Sequence, residues 1–130
     1  MLYQNDSKIE TKPILSISIL LSAIAVLLGA FAAHGLKNSL APKDIAIFQT
    51  GVRYMMWHSI ATTCYSIYAE ISGLKELWPG WMFIVGIILF SGSLFVLSLT
   101  SISWIGIVTP LGGISFVIGW IGFLTCVLKR

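Results

Sequence analysis

Residues 14–33 read "ILSISILLSAIAVLLGAFAA", twenty consecutive positions without a charge. Coiled into a helix at 1.5 Å per residue, such a run is about 30 Å long, the thickness of the hydrocarbon core of a bilayer. Three further stretches, 47–71, 81–100 and 104–128, are long and apolar enough for the same reading. The turn chemistry between them extends the predicted helices to about 14–35, 44–72, 79–100 and 103–128. "GLKNSLAPKD" (35–44) places a proline at a helix start, "SGLKELWPG" (72–80) breaks the second helix from the third, and "TSIS" (100–103) leaves room only for a tight hairpin. The expected fold is therefore an all-α membrane protein, a four-transmembrane-helix bundle with short loops, forming one domain over residues 14–130. The polar segment before it, "MLYQNDSKIETKP" (1–13), has mixed charges and no periodicity and is expected to be a tail, disordered or lying at the interface.

Composition agrees with burial in lipid. Of 130 residues, 57% are hydrophobic and 10% charged, with a mean hydropathy of +0.93. Ordinary soluble domains carry about 25% charge, so a soluble fold would lack the polar surface to cover itself. The net charge of +3 comes from scattered basic residues. No run of them tracks a phosphate backbone, which argues against a nucleic-acid partner. Cys64 and Cys126 stand in separate apolar segments without metal-ligand spacing and read as packing residues. No metal or cofactor is expected.

The first segment also imitates a secretory leader, since Lys8 and Lys12 precede it and Ala30-Phe31-Ala32 resembles a cleavage site. Its apolar run exceeds the roughly 7–15 residues of a signal core, so a retained span is the expectation. With four spans, Lys8, Lys12, Lys75, Lys129 and Arg130 share one side, against Lys37 and Lys43 on the other, joined by Arg53 if it reaches the interface. Positive charge favours the cytoplasmic side, so both termini are expected there, in the plasma (inner) membrane.

Three helices carry small residues at alternating spacings of three and four. These are Ser18, Ser22, Ala25, Gly29 and Ala32 in the first, and Ser59, Thr62, Ser66 and Ala69 in the second. In the fourth they are Gly112, Ser115, Gly119, Gly122 and Cys126. Helices in lipid gain by close backbone approach, which small side chains permit, so Gly29, Ser59, Gly112, Gly119 and Gly122 are expected at helix contacts. Opposite the small stripe of the second helix lie Gln49, Thr50, Arg53, Tyr54, Trp57, His58, Tyr65 and Tyr68. A helix with protein-seeking groups on both sides belongs at the centre of a bundle or at an interface between copies.

Four motifs then stand together in order: "GAFAAHGLK" (29–37), "TGVRYMMWHS" (50–59), "LFSGSLFVLSLT" (89–100) and "TPLGGISFVIGW" (109–120). This set resembles the small membrane proteins of domain-of-unknown-function family 423, to which a small animal transmembrane protein is related. The resemblance covers most of the chain beyond the tail. It implies the four-helix fold and the membrane location, and it brings no mechanism. Members usually have a glutamine and a tyrosine in the stretch where this chain has Met55 and Trp57, which removes one polar group from the neighbourhood of Arg53.

Arg53 and His58 are the polar residues that most need explaining. Arg53 lies about six residues into the second span, Pro110 about six into the fourth, and Ser93 at the matching depth of the third. All fall roughly 9 Å below the boundary on the side of the first loop. A proline inside a helix strands the carbonyl four residues back, here that of Gly106, and a guanidinium has five donors to offer. The expectation is a polar cluster of Gln49, Arg53, Ser93 and Thr109 with that carbonyl, which would offset the roughly +2.5 to +3.5 kcal/mol of an arginine at mid-span. His58 is about 7.5 Å deeper and four residues from Tyr54, and reads as a neutral imidazole bonded to a helix neighbour. Gln49, Arg53, Tyr54, His58, Ser93 and Thr109 are thus the candidate polar cluster or ligand site. His34 precedes Gly35, which reads as a left-handed cap of the first helix.

No acid pair, metal-spaced set or phosphate loop appears, and no enzyme activity is expected. The expected role is structural or accessory, through helix packing, self-association as a homo-oligomer, or a membrane-protein partner. The alternative is a minimal transporter or channel with a polar site around Arg53 and His58. A proton-coupled exporter of this size would be expected to bury an acidic residue, and the five carboxylates (Asp6, Glu10, Asp44, Glu70, Glu76) fall in the tail or near helix ends.

Overall fold

In a computed structural model, which describes residues 6–130 and side chains from residue 10 onward, the chain forms four long helices joined by short loops. We label them α1 (Asp6–His34), α2 (Pro42–Ser72), α3 (Trp78–Thr100) and α4 (Ser103–Leu128). Within α3 the turn Ile87–Ser91 is a π-helix, and α4 opens as a 3-10 turn over Ser103–Ile107. Strands are absent from the described residues.

α1 starts earlier than its composition suggests. Residues 6–13, expected as tail, continue the helix, while residues 1–5 lie outside the described chain. Tertiary contacts supply what the local sequence lacks. The Thr11 hydroxyl donates to Glu70 Oε2 at 2.5 Å, and Ile14 is buried against Gly80. Pro13 is accommodated inside the helix.

α1 and α2 pair antiparallel along most of their length. Thr11 meets Glu70, Ser18 Oγ lies 2.8 Å from Thr63 Oγ1, and Ser22 donates to Ser59 Oγ at 2.9 Å. Further along, Gly29 faces Val52. Each step forward on α1 matches an equal step back on α2, so the small-residue faces form a continuous seam.

α3 and α4 form the second antiparallel pair, in which glycines receive rings. Gly119 faces Phe83, Gly122 faces Trp78 and Pro79, and Gly86 of α3 faces Phe116 of α4. A Cβ added at Gly112 would stand 2.3 Å from the backbone nitrogen of Phe90. The main chains touch there, in the π turn of α3. The extra residue of that turn lets Phe90 seat on Gly112 while its neighbour Ser91 turns the other way and donates to the Gly51 carbonyl at 2.7 Å.

α2 holds the two pairs together, antiparallel to α3 through Gly51–Ser91 and Tyr65–Gly80, and parallel to α4 through His58–Trp120. Ala25, Met55, Ala61, Phe83, Ile87 and Phe116 make the principal core. Outward, α1 shows Ile19, Leu20, Val26 and Leu27, and α4 shows Leu111, Ile114, Val117, Ile121 and Leu124.

The helix ends differ from expectation in one respect. Gly35 follows the end of α1 but is not left-handed; among the described residues the left-handed ones are Gly73 (φ 63°) and Ser101 (φ 58°). Glycine is needed at 35 for space, because a Cβ would fall 2.6 Å from the Phe31 ring. Gly73 closes α2 with Leu74 N–H donating to the Ala69 carbonyl, the pattern of a Schellman cap.

Among the described residues three stretches are long and apolar enough to cross a membrane: Glu10–His34, Trp78–Thr100 and Ser103–Leu128. α2 is long enough, at 31 residues, but Lys43, Asp44, Gln49, Arg53, His58 and Glu70 lower its hydropathy.

Candidate functional site

The polar residues of α2 divide according to how the helix is rotated. Gly51 is the reference point, seated against Ser91 and Phe95 of α3. At 100° per residue, Arg53 lies about 200° round from it and Tyr54 about 60° short of a full turn. Tyr54 is thereby turned toward Phe90 and Phe116, with ring centroids at 4.4 and 6.2 Å. Arg53 points the opposite way and is exposed, as is Gln49.

The expected cluster of Arg53, Gln49, Ser93 and Thr109 around the Gly106 carbonyl therefore does not assemble as drawn. Arg53 Nη2 donates to Thr50 Oγ1 at 3.2 Å, one turn back on its own helix, and Thr50 in turn donates to the Ala46 carbonyl. Ser93 and Thr109 do meet, with hydroxyl oxygens 2.6 Å apart across the α3–α4 pair. The premise about Pro110 also changes. The α-helical part of α4 begins at Val108, after a 3-10 turn, so Pro110 falls in the first α turn, where proline is well tolerated.

His58 occupies a different surrounding from Arg53. It is 6% exposed and lies flat on Phe116, with centroids 3.5 Å apart and planes within 11°. Tyr54 stacks on the same plane at 5.9 Å, and Phe83 and Trp120 close the sides. Its Nδ1 is 2.8 Å from the Tyr54 carbonyl oxygen, and its Nε2 accepts from Trp120 Nε1 at 3.1 Å. A carbonyl can only accept and an indole N–H can only donate. Nδ1 therefore carries the proton, Nε2 presents its lone pair, and the imidazole is neutral with both nitrogens engaged.

Around this ring the remaining buried polar groups are likewise paired. Thr62 donates to the His58 carbonyl at 2.6 Å, Ser66 to the Thr62 carbonyl at 2.8 Å, and Ser115 of α4 to the Met82 carbonyl of α3 at 2.7 Å. Near the end of the bundle the buried Tyr65 hydroxyl donates to the Glu76 carbonyl and lies 3.5 Å from Cys126 Sγ. Among the described residues no buried side-chain nitrogen or oxygen lacks a partner, and no three His, Cys, Asp or Glu side chains come together as metal ligands.

Trp120, Ser91 and the Thr11–Glu70 pair escaped the reading of the sequence. Trp120 had a usable signal. Tryptophans are enriched at membrane interfaces, where one end stays wet. Trp120 sits mid-way along α4, where its N–H needs a protein acceptor. Ser91 had none, because the π turn that aims it has no local sequence mark.

Apolar helices sealed around an internally satisfied polar centre define a small helical membrane protein. The chain belongs to the family described as "Protein of unknown function (DUF423)", which matches residues 28–113. It is 41% identical over 121 residues to the UPF0382 membrane protein YwdK of Bacillus subtilis (strain 168), covering 88% of this chain and 98% of that one. A UPF0382 membrane protein of Staphylococcus saprophyticus is 40% identical over 98 residues, covering 75% of this chain and 82% of its own. No solved structure matches.

Proposed function

We propose that the chain spans the plasma (inner) membrane four times, with both termini in the cytoplasm, and that its role is structural or accessory rather than enzymatic. α2 is included among the spans because it runs antiparallel along α1 from Glu70 to Val52. If the apolar α1 crosses the bilayer, a partner zipped to it over that length crosses with it. This placement is supported by His58, Ser59, Thr62 and Ser66, which face protein, by Lys43, Asp44 and Glu70, which lie near the helix ends, and by Arg53, which is near enough to one boundary to snorkel. Lys12, Lys75, Lys129 and Arg130 lie at one end of the bundle and Lys37 and Lys43 at the other, which favours cytoplasmic termini.

The observation that carries the accessory reading is His58. A histidine serving transport or catalysis must exchange a proton or bind a ligand through a ring nitrogen. Both nitrogens here are committed, one to Tyr54 and one to Trp120. The group holds α2 to α4. Arg53 and His58 face different surroundings, so a transporter built on the two has no shared site.

The test has two arms. Native mass analysis of the full chain, extracted gently from the membrane, should find a homo-oligomer or a stoichiometric membrane-protein partner. Vesicles containing the purified chain should conduct protons and small ions no faster than empty vesicles. A lone monomer without a partner, or a flux that tracks protein content, would overturn the reading.

A further inference from the structure

A cleft of about 370 Å³ opens between the first turns of α1 and the last turns of α2. Leu15, Ile67 and Ile71 give it apolar walls, and Lys12 and Glu70 stand on opposite sides of it, one on each helix. Ile67 and Ile71 are exposed on the outer surface of the bundle, so the cleft is continuous with the lipid-facing side. Glu70 is two residues from the end of α2, which on the four-span reading sets its carboxylate at headgroup depth.

Thr11 fixes that carboxylate. Its hydroxyl donates to Glu70 Oε2 at 2.5 Å, a short charge-assisted bond. A carboxylate accepts at about four lone-pair positions, and this bond uses one of them. An aimed anion on one wall and a lysine on the other present a pair of opposite charges beside apolar surface. The complementary ligand carries a primary ammonium, a phosphate and a hydrocarbon chain.

We propose that this cleft binds the headgroup of an ethanolamine phospholipid. The ammonium donates to the Glu70 carboxylate, the phosphodiester meets the Lys12 ammonium, and one acyl chain runs down Leu15 and Ile67, while Ile71 closes the headgroup end. Selectivity against choline lipids follows from the chemistry of the nitrogen. A trimethylammonium has no N–H to give, so it forfeits the charge-assisted hydrogen bond. Selectivity against glycerol lipids follows from the missing cation. The proposal rests on the four-span reading for the depth of the cleft, and topology reporters test that reading independently.

The experiment uses the full chain in detergent, titrated with phosphatidylethanolamine, phosphatidylcholine and phosphatidylglycerol of identical acyl chains and followed by native mass spectrometry. Wild type should bind the ethanolamine lipid about tenfold more tightly than the choline lipid, the worth of one charge-assisted hydrogen bond. Glu70→Gln should collapse that ratio toward one, while Lys12→Gln should weaken all three lipids and preserve it. Helix content and elution volume report whether either variant still folds, and the wild-type comparison stands without them. Equal binding of ethanolamine and choline lipids by wild type overturns the proposal. So does a folded Glu70→Gln that keeps the preference, or tightest binding of the glycerol lipid, which would mark a generic anionic-lipid site.

Discussion

At the residue scale the imidazole of His58 is the most exacting group in the molecule, because its tautomer is dictated from both ends. Trp120→Phe keeps a ring against Phe83 but removes the only donor to Nε2, leaving a buried acceptor unpaired. Such a loss costs about 1–3 kcal/mol, to be read as a drop in unfolding free energy in detergent. Adding His58→Phe removes the stranded acceptor as well. The double variant should therefore be less destabilised than the two single losses summed, and strict additivity would show that the bond is not made. Arg53 should behave in the opposite way. Exposed and bonded only within its own helix, it should tolerate Arg53→Lys within about 0.5 kcal/mol. Combining that change with Pro110→Ala should give additive effects, since the two residues share no network. Coupling between them would restore the cluster that the rotation of α2 rules out.

At the scale of elements the glycines are not equivalent. Gly112 and Gly113 are adjacent on α4, yet a Cβ at the first strikes the Phe90 main chain at 2.3 Å while one at the second comes no nearer than 3.9 Å to its ring. Gly112→Ala should force α3 and α4 apart and lower the melting temperature sharply. Gly113→Ala should be neutral or stabilising, since alanine is the better helix former by about 1 kcal/mol. Equal effects would mean that the two helices do not touch at the π turn. The end of α3 offers a gain. Ser101 holds a left-handed conformation that costs an L-residue about 1–2 kcal/mol, so Ser101→Gly should raise stability. A loss there would show that the serine is held by more than the turn.

At the scale of the whole molecule the crossing of α2 is tested at the loops on either side of it. On the four-span reading, cytoplasmic reporters should be active at both termini and in the loop near Lys75, while exported reporters should be active in the loop near Lys37. If α2 lies along the surface instead, the two loops flanking it will report the same side, and the pairing of α1 with α2 must then be reached some other way.

Much of this architecture was legible in the chain before any coordinates. Twenty uncharged residues at 14–33 imply a helix long enough to span, and glycine, serine and alanine at spacings of three and four mark the faces that meet. Both signals are local, repeating within one or two turns, so a sequence carries them whole. The rotation of α2 about its own axis is not local. A helical projection places Arg53, Tyr54 and His58 on one half-turn, but it does not tell which part of that half faces which neighbour. That was decided by Gly51 seating on Ser91 and Phe95, by the π turn that aims Ser91, and by Trp120 arriving from 62 positions along the chain. Close packing selects one rotation from many weak contacts between distant segments. Tertiary structure alone therefore decided that the histidine is an internal tie and the arginine an outward-facing group.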